Sequence, residues 1–333
     1  MGHRDIVVIG ASAGGIEALS AIARRLPADL GAAVFVVLHL APEHKSVLPR
    51  ILSSAGPLPA KHARNGEAIL PNRIYVAAPD HHLLIHENHV RVVRGPRENG
   101  HRPAIDPLFR TAAYSFGPRV IAVVLSGALD DGTAGLASVK TQGGLAVVQD
   151  PNDAVVDAMP RSALENVEID HVASAADMGS LIANLVREGV PTGTPERGGL
   201  LELESALLLN GSTNGILKVG EPSGLGCPDC GGVLNEVPDG DLLRFRCRVG
   251  HAYAPESLYL EESTALEGAL WAALRALEEQ AALSHRMASR ARELGQTKSA
   301  VRYEERAESA EAQATTVRDA LRLGAAPKSD VGG

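Results

Sequence analysis

From residue 5 to about residue 187, short runs rich in valine and isoleucine alternate with longer segments of helical periodicity. That alternation constrains the fold more than any other feature of the chain. The runs are Ile6 to Ile9, Val34 to Leu38, Arg73 to Ala77, His89 to Val93, Val120 to Leu125 and Ala146 to Val148. Short continuous apolar runs suit strands buried on both faces, as in a parallel sheet covered by helices. The pattern predicts an α/β fold, a doubly wound and mostly parallel sheet with helices on both faces. Hydrophobic residues make up 45% of the chain and aromatics only 3%, so its core must be built from aliphatic side chains. Between Ile69 and Val93 the turn signals Pro71-Asn72, Pro79-Asp80 and Glu87-Asn88 predict a local antiparallel hairpin.

The chain has 333 residues, more than one core usually claims, and its composition changes along its length. A catalytic domain is expected over residues 1–188 and a Gly/Pro/Thr/Ser-rich linker over 189–226, docking one short element at Leu200 to Leu209. A cysteine-containing module follows at 227–254, then Ala/Glu/Leu/Arg-rich helices at 255–323 and a disordered tail at 324–333. In the helical part Leu266, Leu270, Ala273 and Leu277, then Met287, Ala291 and Leu294, fall at spacings of three and four. Ala300, Tyr303, Ala307, Ala310, Ala314, Val317 and Leu321 continue them beyond Gly295. Such stripes predict either a helical hairpin packed on its own chain or a coiled coil that makes a homodimer through the C-terminal helices.

The net charge of -8 argues against a nucleic-acid partner, because phosphate binding needs clustered Lys and Arg. No apolar run reaches the ~18 residues that span a bilayer, and the strand at residue 5 leaves no room for a signal peptide. The expectation is a cytoplasmic protein without direct membrane insertion, with small molecules or proteins as partners.

The first strand runs into Gly10-Ala-Ser-Ala-Gly14-Gly15 and then a helical pattern from Ile16. A serine at the apex of a small-residue strand-turn-helix matches a nucleophile elbow, with backbone N–H groups at the helix start able to hold an oxyanion. A dinucleotide-binding turn would want glycine at Ser12 and an acidic residue at the end of the second strand. His39 stands there instead, at the carboxyl edge where parallel sheets bind ligands, so Ser12 and His39 should face one crevice. A third strand end carries Asp130-Asp131-Gly132. A carboxylate there could orient the imidazole, or the pair could serve only as turn and cap chemistry; the residue types leave Asp130 and Asp131 tied.

These segments resemble the catalytic domain of CheB-type chemotaxis methylesterases. The resemblance rests on five ordered motifs: Ile9-Gly-Ala-Ser-Ala-Gly-Gly15, Leu38-His-Leu-Ala-Pro42, Gly100-His-Arg-Pro-Ala-Ile-Asp106, Leu125-Ser-Gly-Ala-Leu-Asp-Asp-Gly132 and Ala158-Met-Pro-Arg161. It implies Ser12 as nucleophile, His39 as base and Asp131 as the orienting carboxylate. It also implies hydrolysis of glutamate γ-methyl esters on methylated chemoreceptors or related signalling proteins, in some members glutamine deamidation, and no catalytic cofactor. His101, Arg102 and Asp106 are further candidates for substrate contact or for fixing loops. Ala13 stands where the family commonly has Thr, and Ala128-Leu129 where it often has Met-Gly. With the first strand at residue 5, no N-terminal receiver domain is expected. An alternative class is a catalytically inactive signalling scaffold that works through its C-terminal modules.

Cys227-Pro-Asp-Cys230 and Cys247-Arg-Val-Gly-His251 hold all three cysteines. Two short pairs of soft ligands at this separation suit one structural Zn²⁺ held by Cys227, Cys230, Cys247 and His251. Similar segments followed by Ala-rich helices accompany some receiver-less relatives of these methylesterases.

Overall fold

A computed structural model of the protein describes residues 2–40, 46–190, 198–211 and 219–324. Seven strands form the main sheet in the order His171–Ala173, Leu145–Gln149, Val120–Val124, Ile6–Ala11, Ala33–Leu38, Arg73–Val76, Ala60–His62. Every neighbouring pair is parallel, so the sheet expected to be mostly parallel is parallel throughout. Successive side chains leave opposite faces of a strand. Val7, Ile9 and Ala11 accordingly pack into one core cluster with the helices Gly15–Arg25, Leu48–Ala55 and Ala175–Arg187. Ile6 and Val8 pack into a second with Ile105–Phe116, Thr133–Thr141 and Ala158–Asn166.

After Ile6–Ala11 the chain winds to one side of the sheet, then returns to that strand's other neighbour, Val120–Val124, and winds the opposite way. The carboxyl ends of these two strands mark the switch point where open α/β sheets leave a crevice. The hairpin is smaller than the turn signals predict. It joins His82–His86 to His89–Val93, whereas Arg73–Val76 enters the main sheet, where Ile74, Tyr75 and Val76 are buried.

The described part of residues 189–226 carries more structure than a linker. Gly189–Val190 pairs with Gly2–His3, the helix Gly199–Asn210 sets Leu208 and Leu209 against Leu84, and Glu221–Gly226 joins an antiparallel sheet with Val233–Asp239, Leu242–Cys247 and Ala252–Tyr253. This small sheet falls in the same compact unit as the main sheet, which runs to Leu258. Buried charges tie the parts together. Glu204 receives Arg244 at 2.7 Å and Arg246 at 2.5 Å, with Arg110 Nε at 3.4 Å. Glu98 pairs with Arg110 and, at 3.3 Å, with Arg246. Burial alone would keep Glu204 neutral, but Arg244, Arg110 and Arg246 hold its carboxyl well below the usual range.

The second unit begins at Tyr259. The helices Pro255–Glu293 and Thr297–Gly324 are joined at Gly295, whose φ of 69° is the left-handed conformation that ends a helix. They form a hairpin within the chain, with Leu274, Ala314 and Leu321 at its core and Leu270, Leu277 and Val317 packed around them. The buried line on the first helix takes in Leu274, not Ala273, because leucine has more apolar surface to remove from water. Leu266 and Leu294 face outward. The tail expected to be disordered lies, from residue 325 on, outside the described residues. Among the described residues no helix is long and apolar enough to cross a membrane.

Candidate active site

Ser12 and His39 directly follow Ala11 and Leu38, which are register partners on adjacent strands. The His39 amide donates to the Ala11 carbonyl at 3.1 Å, so both residues leave the same sheet edge. The turn at Ser12 is closed by Gly15 N–H donating to the Ser12 carbonyl at 3.0 Å. Gly14 adopts φ 75°, and a Cβ on it would lie 2.5 Å from Val155, so only glycine fits. The loop after Val120–Val124 is held against this elbow. Ser12 N–H donates to the Ser126 carbonyl at 2.9 Å, and Ser126 Oγ donates to the Ala13 carbonyl at 2.7 Å. A Cβ on Gly127 would lie 2.8 Å from Ser12 Cβ and 2.1 Å from Met159 Sδ. Ser12 stays half-buried, with Ala13 and Ala128 exposed beside it.

The two adjacent aspartates point to different partners. Asp131 Oδ2 lies 2.7 Å from His39 Nε2, with side chains 1% and 5% exposed. Asp130 turns away to accept the Glu256 amide at 3.0 Å and the Ser257 hydroxyl. Asp131 also accepts the Ile105 amide at 2.7 Å, Asn99 Nδ2 at 2.8 Å and the Asp106 amide at 3.3 Å. Burial works against its ionisation, but the hydrogen bond and charge of His39 together with the Ile105 amide hold it well below the usual carboxylate range. An ionised Asp131 requires the proton on His39 Nε2. That leaves Nδ1, which is buried and has no hydrogen-bond partner among the described residues, as the basic nitrogen.

Of the further candidates, His101 stacks on His39 with ring centroids 3.7 Å apart. Burial, and then His39, push its pKa down to about 4, so it is a neutral wall at neutral pH. Asp106 is fully buried and cannot meet substrate. It accepts the Gly132 amide at 3.1 Å and the Gly135 amide at 2.6 Å, and burial with the neighbouring Asp131 charge pushes it up to about 7. Arg102 is taken up by Asp80 at 2.5 Å and the Gly95 carbonyl at 2.8 Å, which makes it a loop anchor. Asn99 was missed; its one sequence signal is the Asn-Gly pair, which reads only as a turn. In the motif Leu38 to Pro42, residues 41 and 42 lie outside the described residues.

The four metal-ligand candidates come together. One donor atom each from Cys227, Cys230, Cys247 and His251 lie within 4.8 Å of one another. Tetrahedral zinc with bonds of about 2.3 Å to sulfur and about 2.0 Å to nitrogen needs S···S edges of about 3.8 Å and S···N edges of about 3.5 Å. The site supplies 3.8 Å between Cys230 and Cys247, and 3.6 and 3.5 Å from His251 Nδ1 to Cys227 and Cys247. Donor set and spacing therefore fit a closed, structural ion. Gly231 and Gly250 amides close the two knuckles on the Cys227 and Cys247 carbonyls at 2.7 and 3.0 Å.

The family model described as CheB methylesterase matches residues 7–182. A putative protein-glutamate methylesterase/protein-glutamine glutaminase of Leptospira interrogans is 40% identical over 182 residues, covering 54% of this chain and 94% of that protein. Protein-glutamate methylesterase/protein-glutamine glutaminase 2 of Methanosarcina mazei is 33% identical over 192 residues, covering 55% of this chain and 52% of that one. The crystal structure of the Thermotoga maritima CheB methylesterase catalytic domain superimposes with a TM-score of 0.53 at 34% identity, covering 55% of this chain and 98% of that chain.

Proposed function

The chain belongs to the CheB methylesterase family, and from that premise we propose that it hydrolyses glutamate γ-methyl esters on methylated chemoreceptor-type signalling proteins, with Ser12 as nucleophile, His39 as base and Asp131 orienting the base. The observation that carries this reading is the buried 2.7 Å contact between His39 and Asp131 at the sheet edge that bears Ser12. His39 Nδ1 takes the Ser12 proton as Oγ attacks the ester carbonyl, and the imidazolium so formed is stabilised by Asp131. The Ser12 carbonyl is engaged by Gly15, so the Ser12–Ala13 peptide directs the Ala13 N–H the opposite way, away from that bond. That N–H and the one at Ala128 are the proposed oxyanion donors. Methanol leaves with the proton from His39, and water deprotonated by His39 then hydrolyses the acyl-enzyme. Glutamine deamidation would follow the same path with ammonia leaving, as the printed names of the relatives suggest.

The same proposal assigns residues 1–188 to the catalytic domain, 189–226 to the connection, 227–254 to the zinc module and 255–323 to the helices. It places the protein in the cytoplasm. The proposal includes a homodimer through these helices, which light scattering would register as a doubled mass. The activity is tested by methanol release from methylated receptor fragments together with fluorophosphonate labelling. Ser12→Ala should abolish both while leaving the circular dichroism spectrum unchanged. Undiminished methanol release by that variant would overturn the assignment.

A further inference from the structure

The turn that braces the His39–Asp131 pair is held from its far side by the Cys3His module. Glu98 and His101 form an antiparallel bridge closed at 3.2 and 2.9 Å around Asn99 and Gly100. Both central residues have positive φ, 52° and 74°, the twist of a tight hairpin turn that asparagine followed by glycine favours. One side of this turn faces the triad. Asn99 Nδ2 donates to Asp131 Oδ1 at 2.8 Å and to Asp106 Oδ2 at 3.1 Å, and His101 stacks on His39.

The other side faces the module. Glu98 bridges to Ala252, Asn99 N–H donates to the Ala252 carbonyl at 2.8 Å, and Asn99 Oδ1 accepts the Ala254 amide at 2.8 Å. That last bond fixes which way the Asn99 amide points. With its oxygen committed to Ala254, both side-chain hydrogens go to the two carboxylates; a flipped amide would set a third oxygen against them. Ala252 in turn follows the second metal knuckle, where the Cys247 amide donates to the His251 carbonyl at 2.9 Å. Arg246, the residue before Cys247, reaches the Glu98 carboxylate and the Gly250 carbonyl.

We propose that Asn99 is a positioning residue for ester hydrolysis, and that through it the Cys3His module fixes the orientation of Asp131 and hence of His39. The inference rests on the triad reading above. An ion bound by Cys247 and His251 holds the strand Ala252–Tyr253 in place; that strand holds the Asn99 amide; the amide holds the carboxylate. The C-terminal module is then part of what aligns the base.

The test is a double perturbation of the zinc-loaded 333-residue chain: Asn99→Ala, stripping of zinc with a chelator, and both together. The readouts are kcat and KM for methanol release and the low-field proton NMR resonance of the His39 Nε2–H facing Asp131. A charge-assisted hydrogen bond of this kind accounts for about tenfold or more, so each single perturbation should lower kcat about tenfold or more with KM little changed, and should shift or broaden the low-field resonance. In the Asn99→Ala background zinc removal should add less than about twofold, because the side-chain link to Asp131 is already cut. Multiplying effects, or an unchanged resonance in Asn99→Ala, would overturn the proposal. If the stripped protein loses its circular dichroism spectrum, the zinc-loaded Asn99→Ala variant decides alone, by its resonance and its split of kcat from KM. The resonance reads Asp131 and His39 without any substrate, so absence of methanol release from the wild type would sink the proposed activity and leave this inference to be judged separately.

Discussion

Replacing Asp131 by asparagine separates its charge from its shape, and the contacts around it set the expected result. The stronger donors, His39 Nε2 and the Ile105 amide, both at 2.7 Å, face Oδ2. The weaker pair, Asn99 Nδ2 at 2.8 Å and the Asp106 amide at 3.3 Å, face Oδ1. An asparagine should therefore keep its carbonyl toward His39 and press its NH₂ against Asn99, which cannot turn because Ala254 holds its oxygen. His39 would keep its tautomer but lose the anion that stabilises the imidazolium. Two unit charges ~4 Å apart at an effective dielectric of about 20 attract by about 4 kcal/mol, so kcat should fall about a thousandfold with KM little changed. Asp130→Asn is the matched control. It touches Glu256 and Ser257 and not His39, so it should weaken a helix start by about 1 kcal/mol and change kcat less than about tenfold. Steady-state methanol release with purified variants measures both. A kcat for Asp131→Asn within about tenfold of wild type, or a larger loss in Asp130→Asn, would refute the reasoning.

Glu204→Gln removes the carboxylate shared by Arg244, Arg246 and Arg110 and leaves buried guanidinium charge uncompensated; it should cost about 3–5 kcal/mol, read as a lower urea midpoint, and an unchanged midpoint would contradict the pairing. His101 is kept neutral in the fold down to about pH 4, whereas the unfolded chain takes up that proton below about pH 6.5. Its depressed folded value therefore removes stability as pH falls through that window, by up to about 3 kcal/mol. His101→Gln should flatten the fall in urea midpoint between about pH 6.5 and about pH 4; a fall parallel to wild type would show that His101 does not titrate this way.

What the sequence by itself determined is local. Runs of β-branched residues mark strands because such side chains suit a sheet covered on both faces. The small-residue turn around Ser12 reads as an elbow once His39 stands where a dinucleotide fold wants an acid, and the ligand types and spacing of Cys227, Cys230, Cys247 and His251 describe one tetrahedral site. Tertiary structure alone decided what depends on direction. Asp130 and Asp131 are chemically identical neighbours that their residue chemistry leaves tied and the family resemblance separates; the physical cause is the backbone path, with Leu129 at φ 63° and Gly132 at φ 97°, which sends one to His39 and the other to the start of the long helix. Ala273 and Leu274 differ in which side of a helix they occupy, and contact with the second helix chose the leucine. Glu98, Arg110, Glu204, Arg244 and Arg246 read in sequence as ordinary surface charge, because nothing local signals that a partner up to 148 positions away will bury it. The opposed contacts of Asn99 are hidden for the same reason: a side-chain amide acquires a role only when distant donors and acceptors converge on it.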